Sequence, residues 1–126
     1  MRNAEADYRA AGKLHRGSDS RHDQTCFLCQ QSAEKYLKAL LEEPGLTIPR
    51  THLLKDLLAL LQPHYPGLSP LRRGLVFLTR FAVGTRYPGD SASKREAASA
   101  LRWAGRVRTA AWAIFGIRPP RRRRKK

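Results

Sequence analysis

Two polar side chains, Gln30 and Glu34, interrupt an apolar helical pattern in the segment from Cys26 to Leu41. At 3.6 residues per turn, the pattern predicts one broad apolar arc of Cys26, Phe27, Cys29, Ala33, Tyr36, Leu37, Leu40 and Leu41, with Leu28, Gln31, Ser32, Lys35, Lys38 and Ala39 outside it. Gln30 and Glu34 lie inside the arc, one turn apart. Because buried polar groups need partners, we expect these two to form a polar support in the core.

Two arginines are candidate counter-charges for Glu34. Arg86 projects toward the inner edge of a later predicted helix, and Arg108 lies inside the apolar arc of the last one. Either guanidinium would explain a carboxylate on a packing face, because a buried charge is tolerated when it is paired. Gln30, Glu34 and Arg108 are therefore predicted to support the core.

Arg80, Arg86 and Tyr87 form a second group of candidate functional residues, at the end of a predicted helix. A guanidinium beside an aromatic ring can hold a phosphate and stack on a base, so Arg86 and Tyr87 are candidate ligand-binding residues. Arg80 points outward together with Arg73 and is a further candidate phosphate ligand. The structural alternative is that Arg86 braces the loop by bonding carbonyl groups, or pairs with Glu34.

His52 follows Thr51, which the sequence favours as the N-cap of a helix. A histidine at the positive end of a helix can act as a neutral hydrogen-bond donor to a ligand or phosphate. The structural alternative is that His52 ties the preceding connector to the helix that carries Glu34.

Cys26 and Cys29 form a C-x-x-C pair, a spacing found in redox pairs and in half of a metal site. Both sulfurs are predicted to face the apolar arc, and the sequence has no second cysteine pair, so we expect two small buried hydrophobes. His22, four residues before Cys26, is the remaining argument for a metal site. We predict no metal and no cofactor.

The net charge is +15, which favours polyanionic partners such as nucleic acid, nucleotides or an acidic protein. Six of these charges come from the final residues, Arg121, Arg122, Arg123, Arg124, Lys125 and Lys126, so residues 1–120 keep a net charge of +9 (15 less 6). The tail, 118–126, is predicted to be disordered and to attract nucleic acid. Its charges would add roughly 4–5 to the slope of log K against log salt. The alternative is a solvated tail that aids solubility.

Five helical segments are predicted, with no strand and no repeat. They are expected to run from about 3 to 15, from a cap at Ser20 or Asp23 to about 43, from a Thr51 cap to Pro63, from Ser69-Pro70 to about Gly84, and from Asp90 or Ser91 to about Phe115. The predicted fold is all-α, an antiparallel up-and-down bundle of four main helices plus a shorter one, over residues 1–117. Val76, Val83 and Leu28 lie off the main apolar arcs and suggest a dimer surface.

Three blocks of sequence resemble the HEPN domain family. They are C-F-x-x-Q-Q-x-A-E-K-x-L-K-A-L (Cys26–Leu40), P-R-T-H-x-L beginning at Pro49, and T-R-Y-P (Thr85–Pro88), in the order typical of the family. The resemblance covers about residues 3 to 115 and implies a HEPN-like helical bundle. Leu28 departs from the pattern, because many relatives have His after the Phe.

The resemblance also implies what a catalytic member would need. Enzymatic HEPN domains use an Arg-x(4–6)-His pair, contributed by two subunits, as a metal-independent ribonuclease site. Here Arg80 could stand for the arginine, but Arg86 occupies the place of the histidine, and no histidine follows His64. Because arginine stays protonated, it is a poor general base. We therefore predict no catalytic residues.

The resulting hypothesis is a homodimeric nucleotide- or RNA-binding protein that acts with a partner. By resemblance, the partner is a nucleotidyltransferase encoded beside it, in a toxin–antitoxin or defence-like system. The alternatives are a metal-independent endoribonuclease that uses Arg80 or Arg86 with His52, and a structural adaptor in a larger complex. The polar, acid-containing first residues do not resemble a signal peptide, and Ala110–Ile117 is too short an apolar run to cross a bilayer, so a cytoplasmic location is expected.

Overall fold

The computed structural model describes residues 2–17, 21–82 and 91–117. Within these ranges the chain is helical and contains no strand, which confirms the predicted all-α fold. The elements are α1 (Arg2–Arg16), α2 (His22–Glu42), α3 (Leu54–Leu61), a 3₁₀ segment (Pro66–Leu71) that leads directly into α4 (Arg72–Thr79), and α5 (Lys94–Phe115). None of the described helices is both long and apolar enough to cross a bilayer.

The central helix is α2, which packs against α1 and α5 on one side and α3 on another. Its predicted inward residues are buried as expected, apart from Phe27, which is half-buried. Ser32 corrects the predicted arc, because it is fully buried and its hydroxyl donates a hydrogen bond to the Ala4 carbonyl of α1 at 2.8 Å. Leu28 is half-buried and packs against the core. Its suggested place on a dimer surface stays a prediction.

Most neighbouring helices are antiparallel, but α2 and α5 run in the same direction. The Asp23 carboxylate accepts a hydrogen bond from the Ala92 amide just before α5, while Tyr36 and Trp112 meet near the other ends of the same helices. This arrangement is possible because the 43–53 connector carries the chain back along α2 before α3 begins. Two 8-residue helices then fill the space between the connector and α5.

The start of α5 has a complete capping box. The Ser93 hydroxyl accepts a hydrogen bond from the Glu96 amide, and the Glu96 carboxylate accepts one from the Ser93 amide, each at 3.0 Å. These bonds satisfy two amides that a helix start leaves free, so α5 begins at Lys94 rather than directly after Asp90 or Ser91.

Two other predicted caps do not close their helices. Thr51 bonds the Leu53 amide at 3.1 Å, but α3 starts later, at Leu54. The Leu54 amide is satisfied instead by the Thr79 hydroxyl of α4, at 3.2 Å. The residue preceding α2 is Arg21 rather than Ser20 or Asp23, and it makes no side-chain cap bond. At the start of α3, a tertiary contact therefore replaces the local cap that the sequence favours.

Helix α4 is shorter than predicted, because it ends at Thr79 rather than near Gly84. It lies unusually close to α5 where Gly74 faces Trp103. A Cβ atom built on Gly74 would come within 2.0 Å of the Trp103 ring, so the indole occupies the volume that a side chain would need. The small residue here determines how closely α4 and α5 can pack.

Candidate functional site

Glu34 lies at the centre of a hydrogen-bonded cluster between α2 and the 43–53 connector. Its side chain is only 8 % exposed, and both carboxylate oxygens are satisfied. Oε1 accepts a hydrogen bond from Gln30 Nε2 at 2.9 Å and lies 2.8 Å from His52 Nδ1, while Oε2 lies 3.1 Å from Lys38 Nζ. Gln30 and Glu34 are thus buried on α2 and bonded to each other, and their role as a support for a binding site stays a prediction.

Of the two arginines that were predicted to pair with Glu34, Arg108 does not contact it. Arg108 belongs to another cluster, where its guanidinium bonds both oxygens of Glu5 at 2.6 and 2.9 Å. The helical arc of α5 correctly placed Arg108 inward, but it faces the side of α2 that packs on α1. Glu34 faces the 43–53 connector instead, because Glu34 and Tyr36 are separated by about 200° around α2. Arg86, the other predicted partner, lies outside the described residues.

His52 joins the connector to α2, as the structural alternative predicted. Because the Glu34 carboxylate is an acceptor, it fixes Nδ1 as the protonated ring nitrogen. Nε2 has no hydrogen-bond partner among the contacts of the described residues, and the side chain is 56 % exposed. The imidazole is therefore held at one nitrogen by a buried carboxylate and presents the other to solvent.

The charge of Glu34 is maintained by its neighbours. Burial raises the pKa of Glu34, but hydrogen bonds from His52, Gln30 and Lys38 more than offset this, so that the net pKa is lowered. The carboxylate is thus ionised at neutral pH. Glu34 therefore keeps its hydrogen bond to His52 at pH values above the ordinary pKa range of a carboxyl group. The bond is lost as the pH falls below that range and the carboxylate becomes protonated.

Arg80 lies at the end of α4, close to the connector. The Thr79–Leu54 bond brings the backbone next to Arg80 against the start of α3, two residues after His52. The Arg80 guanidinium bonds Glu96 at 3.2 Å and lies over the ring of Phe77, 5.5 Å from its centroid. Its side chain is 61 % exposed.

The remaining predicted binding residues lie outside the described residues. These are Arg86 and Tyr87, together with the tail residues Arg121–Lys126. Their roles stay predictions. Val83, part of the suggested dimer surface, also lies outside, whereas Val76 is 48 % exposed on α4.

A cluster that the sequence analysis missed joins three helices around Glu5. The Tyr36 hydroxyl donates to Glu5 Oε1 at 2.6 Å, and Trp112 Nε1 donates to that hydroxyl at 3.0 Å. The Arg108 guanidinium lies 3.8 Å from the centroid of the Trp112 ring. The sequence feature that could have predicted this cluster is Arg108, because an arginine within an apolar arc needs an acidic partner in the bundle.

The ionisation of this cluster follows from its contacts. Burial would raise the pKa of Glu5, but hydrogen bonds from Arg108, Tyr36 and Arg9 lower it to about 2. Burial, together with the bond to Glu5, raises the pKa of Tyr36 to about 12. The cluster therefore consists of a carboxylate and a neutral phenol at physiological pH, and it joins α1, α2 and α5.

Cys26 and Cys29 behave as buried hydrophobes. Both are reduced cysteines whose side chains are fully buried, and burial raises the pKa of Cys29. A reactive cysteine needs a stabilised, accessible thiolate, which this environment opposes. Over residues 2–17, 21–82 and 91–117, no group of three His, Cys, Asp or Glu side chains could hold a metal ion.

Comparison with protein families decides the classification of this bundle. The HEPN domain model matches residues 1–114, nearly the whole helical part of the chain. The chain belongs to the HEPN domain family. Membership supports a nucleotide- or RNA-related function in general. Neither the curated proteins nor the solved structures gave a significant match.

Within this HEPN domain, the described candidate residues gather where α2, the connector and the end of α4 meet. Glu34 and His52 are in direct contact there, and the Thr79–Leu54 bond places Arg80 on the adjoining segment. The Arg80 guanidinium itself is directed to Glu96 of α5, so the ligand contact that this group offers is the oriented imidazole of His52. Arg108 is excluded from this group because it is bound to Glu5.

Proposed function

We propose that this HEPN domain binds a nucleotide or RNA through the Glu34–His52 pair and acts with a partner protein rather than cleaving RNA alone. The observation that carries the proposal is the contrast in exposure within the pair. Glu34 is 8 % exposed and His52 is 56 % exposed, with 2.8 Å between Oε1 and Nδ1. A buried carboxylate that orients an accessible ring is typical of a positioned ligand contact.

The chemistry of His52 fits both parts of a nucleotide. In the neutral ring, Nε2 is an acceptor for a ribose hydroxyl or a base N–H, since Glu34 holds the proton on Nδ1. In the protonated ring, Nε2 donates to a phosphate oxygen. Arg80 supplies a nearby permanent positive charge, and we assign Arg86 and Tyr87 to phosphate and base contacts on their sequence pattern alone.

The non-catalytic part of the proposal rests on the sequence. The histidine of the family's Arg-x(4–6)-His pair is replaced by Arg86, and no later histidine exists. A guanidinium stabilises negative charge but cannot take a proton at neutral pH. Binding is thus the function that the present residues suit best.

His52→Ala tests the binding site. We expect affinity for a fluorescent ATP analogue or a labelled 20-nucleotide RNA to fall about tenfold, because one charge-assisted hydrogen bond contributes roughly 1.5 kcal/mol. Fluorescence anisotropy measures this. His64→Ala is the matched control, since His64 is another exposed histidine at the far end of α3 and should leave affinity unchanged. Equal effects of the two substitutions would contradict the proposal, and no binding by the wild type would favour the structural adaptor.

The second candidate function is a metal-independent endoribonuclease, and the Glu34–His52 pair is the observation in its favour. A carboxylate-oriented imidazole can act as a general base toward a ribose 2′-hydroxyl, with Arg80 or Arg86 stabilising the phosphorane. Incubation of a 5′-labelled RNA with the purified protein in EDTA distinguishes the two functions. We expect intact RNA; cleavage by the wild type that His52→Ala abolishes would establish the ribonuclease instead.

For the partner, we propose a nucleotidyltransferase of a toxin–antitoxin or defence-like pair, with the HEPN domain as a homodimer. The family resemblance supports the nucleotidyltransferase. Exposed apolar side chains just before α3 (Leu53), on α3 (Leu60) and on α4 (Val76) support a protein interface. Light scattering coupled to size-exclusion chromatography tests the dimer: a mass near 14 kDa would contradict it, and one near twice that value would support it.

A further inference from the structure

We propose that a basic groove between α1 and α5 binds the phosphodiester backbone of single-stranded nucleic acid. The α1–α5 groove consists of two adjoining recesses of about 760 and 370 Å³ that share Tyr8 and Leu101. The inference takes the class of ligand from the proposed function but assigns it to a different surface.

All the charged side chains that line the groove are positive. Of the side chains that line the two recesses, the charged ones are all cations: Arg9, Lys13 and Arg16 from α1, and Arg102, Arg106 and Arg108 from α5. Glu5 is the neighbouring carboxylate, and it is already bonded to Arg9 and Arg108. Five of the six cations are exposed, the exception being half-buried Arg108. The groove thus presents a concentrated positive field to solvent.

The cations are arranged as two rows along antiparallel helices. Arg9, Lys13 and Arg16 are four and three residues apart on α1, and Arg102 and Arg106 are four apart on α5, so each row repeats at about 5–6 Å. The Glu5–Arg108 bonds hold the two helices together at one end of the groove. Such rows follow an extended polyanion better than they surround a single small anion.

The floor of the groove carries an aromatic ring. Tyr8 lies across α5 at Gly105, where an added Cβ would come within 3.2 Å of its hydroxyl, and the Arg108 guanidinium lies over one part of its ring, 5.1 Å from the centroid. Leu101 and Ala110 add apolar surface beside it. Positive walls with an aromatic ring between them are the combination that single-strand binding proteins use, since bases stack on the ring while cations contact phosphates.

The groove is separate from the Glu34–His52 pair. Glu5, Tyr36 and Arg108 occupy the side of α2 that faces α1 and α5, whereas Glu34 faces the connector on the opposite side. The two surfaces can therefore be altered independently.

Charge and chain continuity favour this occupant. A second copy would bring an identical row of cations into the groove, and like charges in contact oppose association. The recess next to the groove is lined by Arg108, Trp112 and Ile117, and the six-cation segment 121–126 starts only four residues later. Its first residue, Arg121, is therefore at most about 14 Å of chain contour from Ile117.

Paired charge neutralisations test the proposal with the full chain. The groove variant is Arg102→Gln with Arg106→Gln, and the matched control is Arg72→Gln with Arg73→Gln, which removes the same charge from exposed arginines lining a separate recess on α4. Binding of labelled 20-nucleotide single-stranded RNA, and of DNA of the same sequence, is measured by anisotropy from 50 to 300 mM salt. We expect the groove variant to bind about 10- to 30-fold more weakly at 0.1 M salt. The slope of log K against log salt concentration should be shallower by about 1.4, because each lost phosphate contact removes about 0.7 from it. The control should change little.

Each outcome decides the assignment. Parallel losses for RNA and DNA support a phosphodiester contact common to both, and a larger loss for RNA supports the same contact with RNA as the ligand. Equal losses in the groove and control variants would overturn the proposal, since overall charge would then explain binding. Unchanged affinity together with an altered oligomeric mass would also overturn it and identify the groove as a contact between copies. If His52→Ala weakens binding as expected but the groove variant keeps the wild-type affinity, this inference is overturned and the proposed function stands.

Discussion

Gly74→Ala is expected to destabilise the bundle by about 2–3 kcal/mol, lowering the melting temperature by roughly 10 °C. The new methyl group would occupy a position only 2.0 Å from the Trp103 ring, so either the indole or α4 must move. In an open helix the same change would stabilise by about 1 kcal/mol, because alanine favours helix more than glycine does. The expected sign therefore depends entirely on the tertiary contact. Thermal or urea unfolding measures it.

A matched control and a double-mutant cycle make this expectation specific. Gly67→Ala introduces the same methyl group where no atom lies within 4 Å, and should change stability by less than about 0.5 kcal/mol. In a Trp103→Leu background, most of the penalty at Gly74 should disappear, since the ring that causes the clash is gone. A full penalty in that background would show that α4 is sensitive to Gly74 for another reason.

Glu5→Gln is expected to cost about 3 kcal/mol at pH 7, with a pH dependence that identifies the cause. The folded pKa of Glu5 is about 2, against an ordinary value of 4.5. A lowered folded pKa stabilises the protein above pH 4.5, and this stabilisation is lost as the pH falls from 4.5 toward 2. The difference between variant and wild type should therefore narrow by about 1 kcal/mol between pH 7 and pH 3.5. Urea unfolding at the two pH values measures this difference.

Glu42→Gln is the control for Glu5→Gln. Glu42 is an exposed glutamate at the end of α2 with no ion pair among the described contacts, so its substitution should be within about 0.5 kcal/mol of neutral at either pH. A pH-independent loss for Glu5→Gln would mean that the glutamine disturbs packing, and that the hydrogen bonds of the charged carboxylate are not the source of stability.

The two polar clusters show how the bundle separates stability from binding. Glu5, Tyr36 and Arg108 join three helices and satisfy one another, so they leave little capacity for a ligand on that carboxylate. The Glu34–His52 pair is satisfied only on its buried side and presents Nε2 outward. Variants of the first cluster should therefore alter unfolding, and variants of His52 should alter binding.

Much of the fold and one part of the site were predictable from local sequence. The 3.6-residue spacing of apolar side chains on α2 fixed which face is buried, and it identified Gln30 and Glu34 as polar groups that must find partners inside. The three family blocks predicted the bundle, and the family match over residues 1–114 agrees with them. Local patterns suffice for these features because helix amphipathicity depends on residues within a few turns of one another.

Only the tertiary structure decided which partners those polar groups take. His52 and Lys38 bind Glu34, and Arg108 binds Glu5, 103 residues away along the chain. The helical arc of α5 showed that Arg108 faces inward, but it contained no information on which neighbour it would meet. The same holds for Gly74, whose necessity comes from Trp103 on another helix. The physical reason is that helix periodicity specifies a direction around one axis, whereas pairing between helices depends on their relative position, and this is set by how all the side chains of the core pack together.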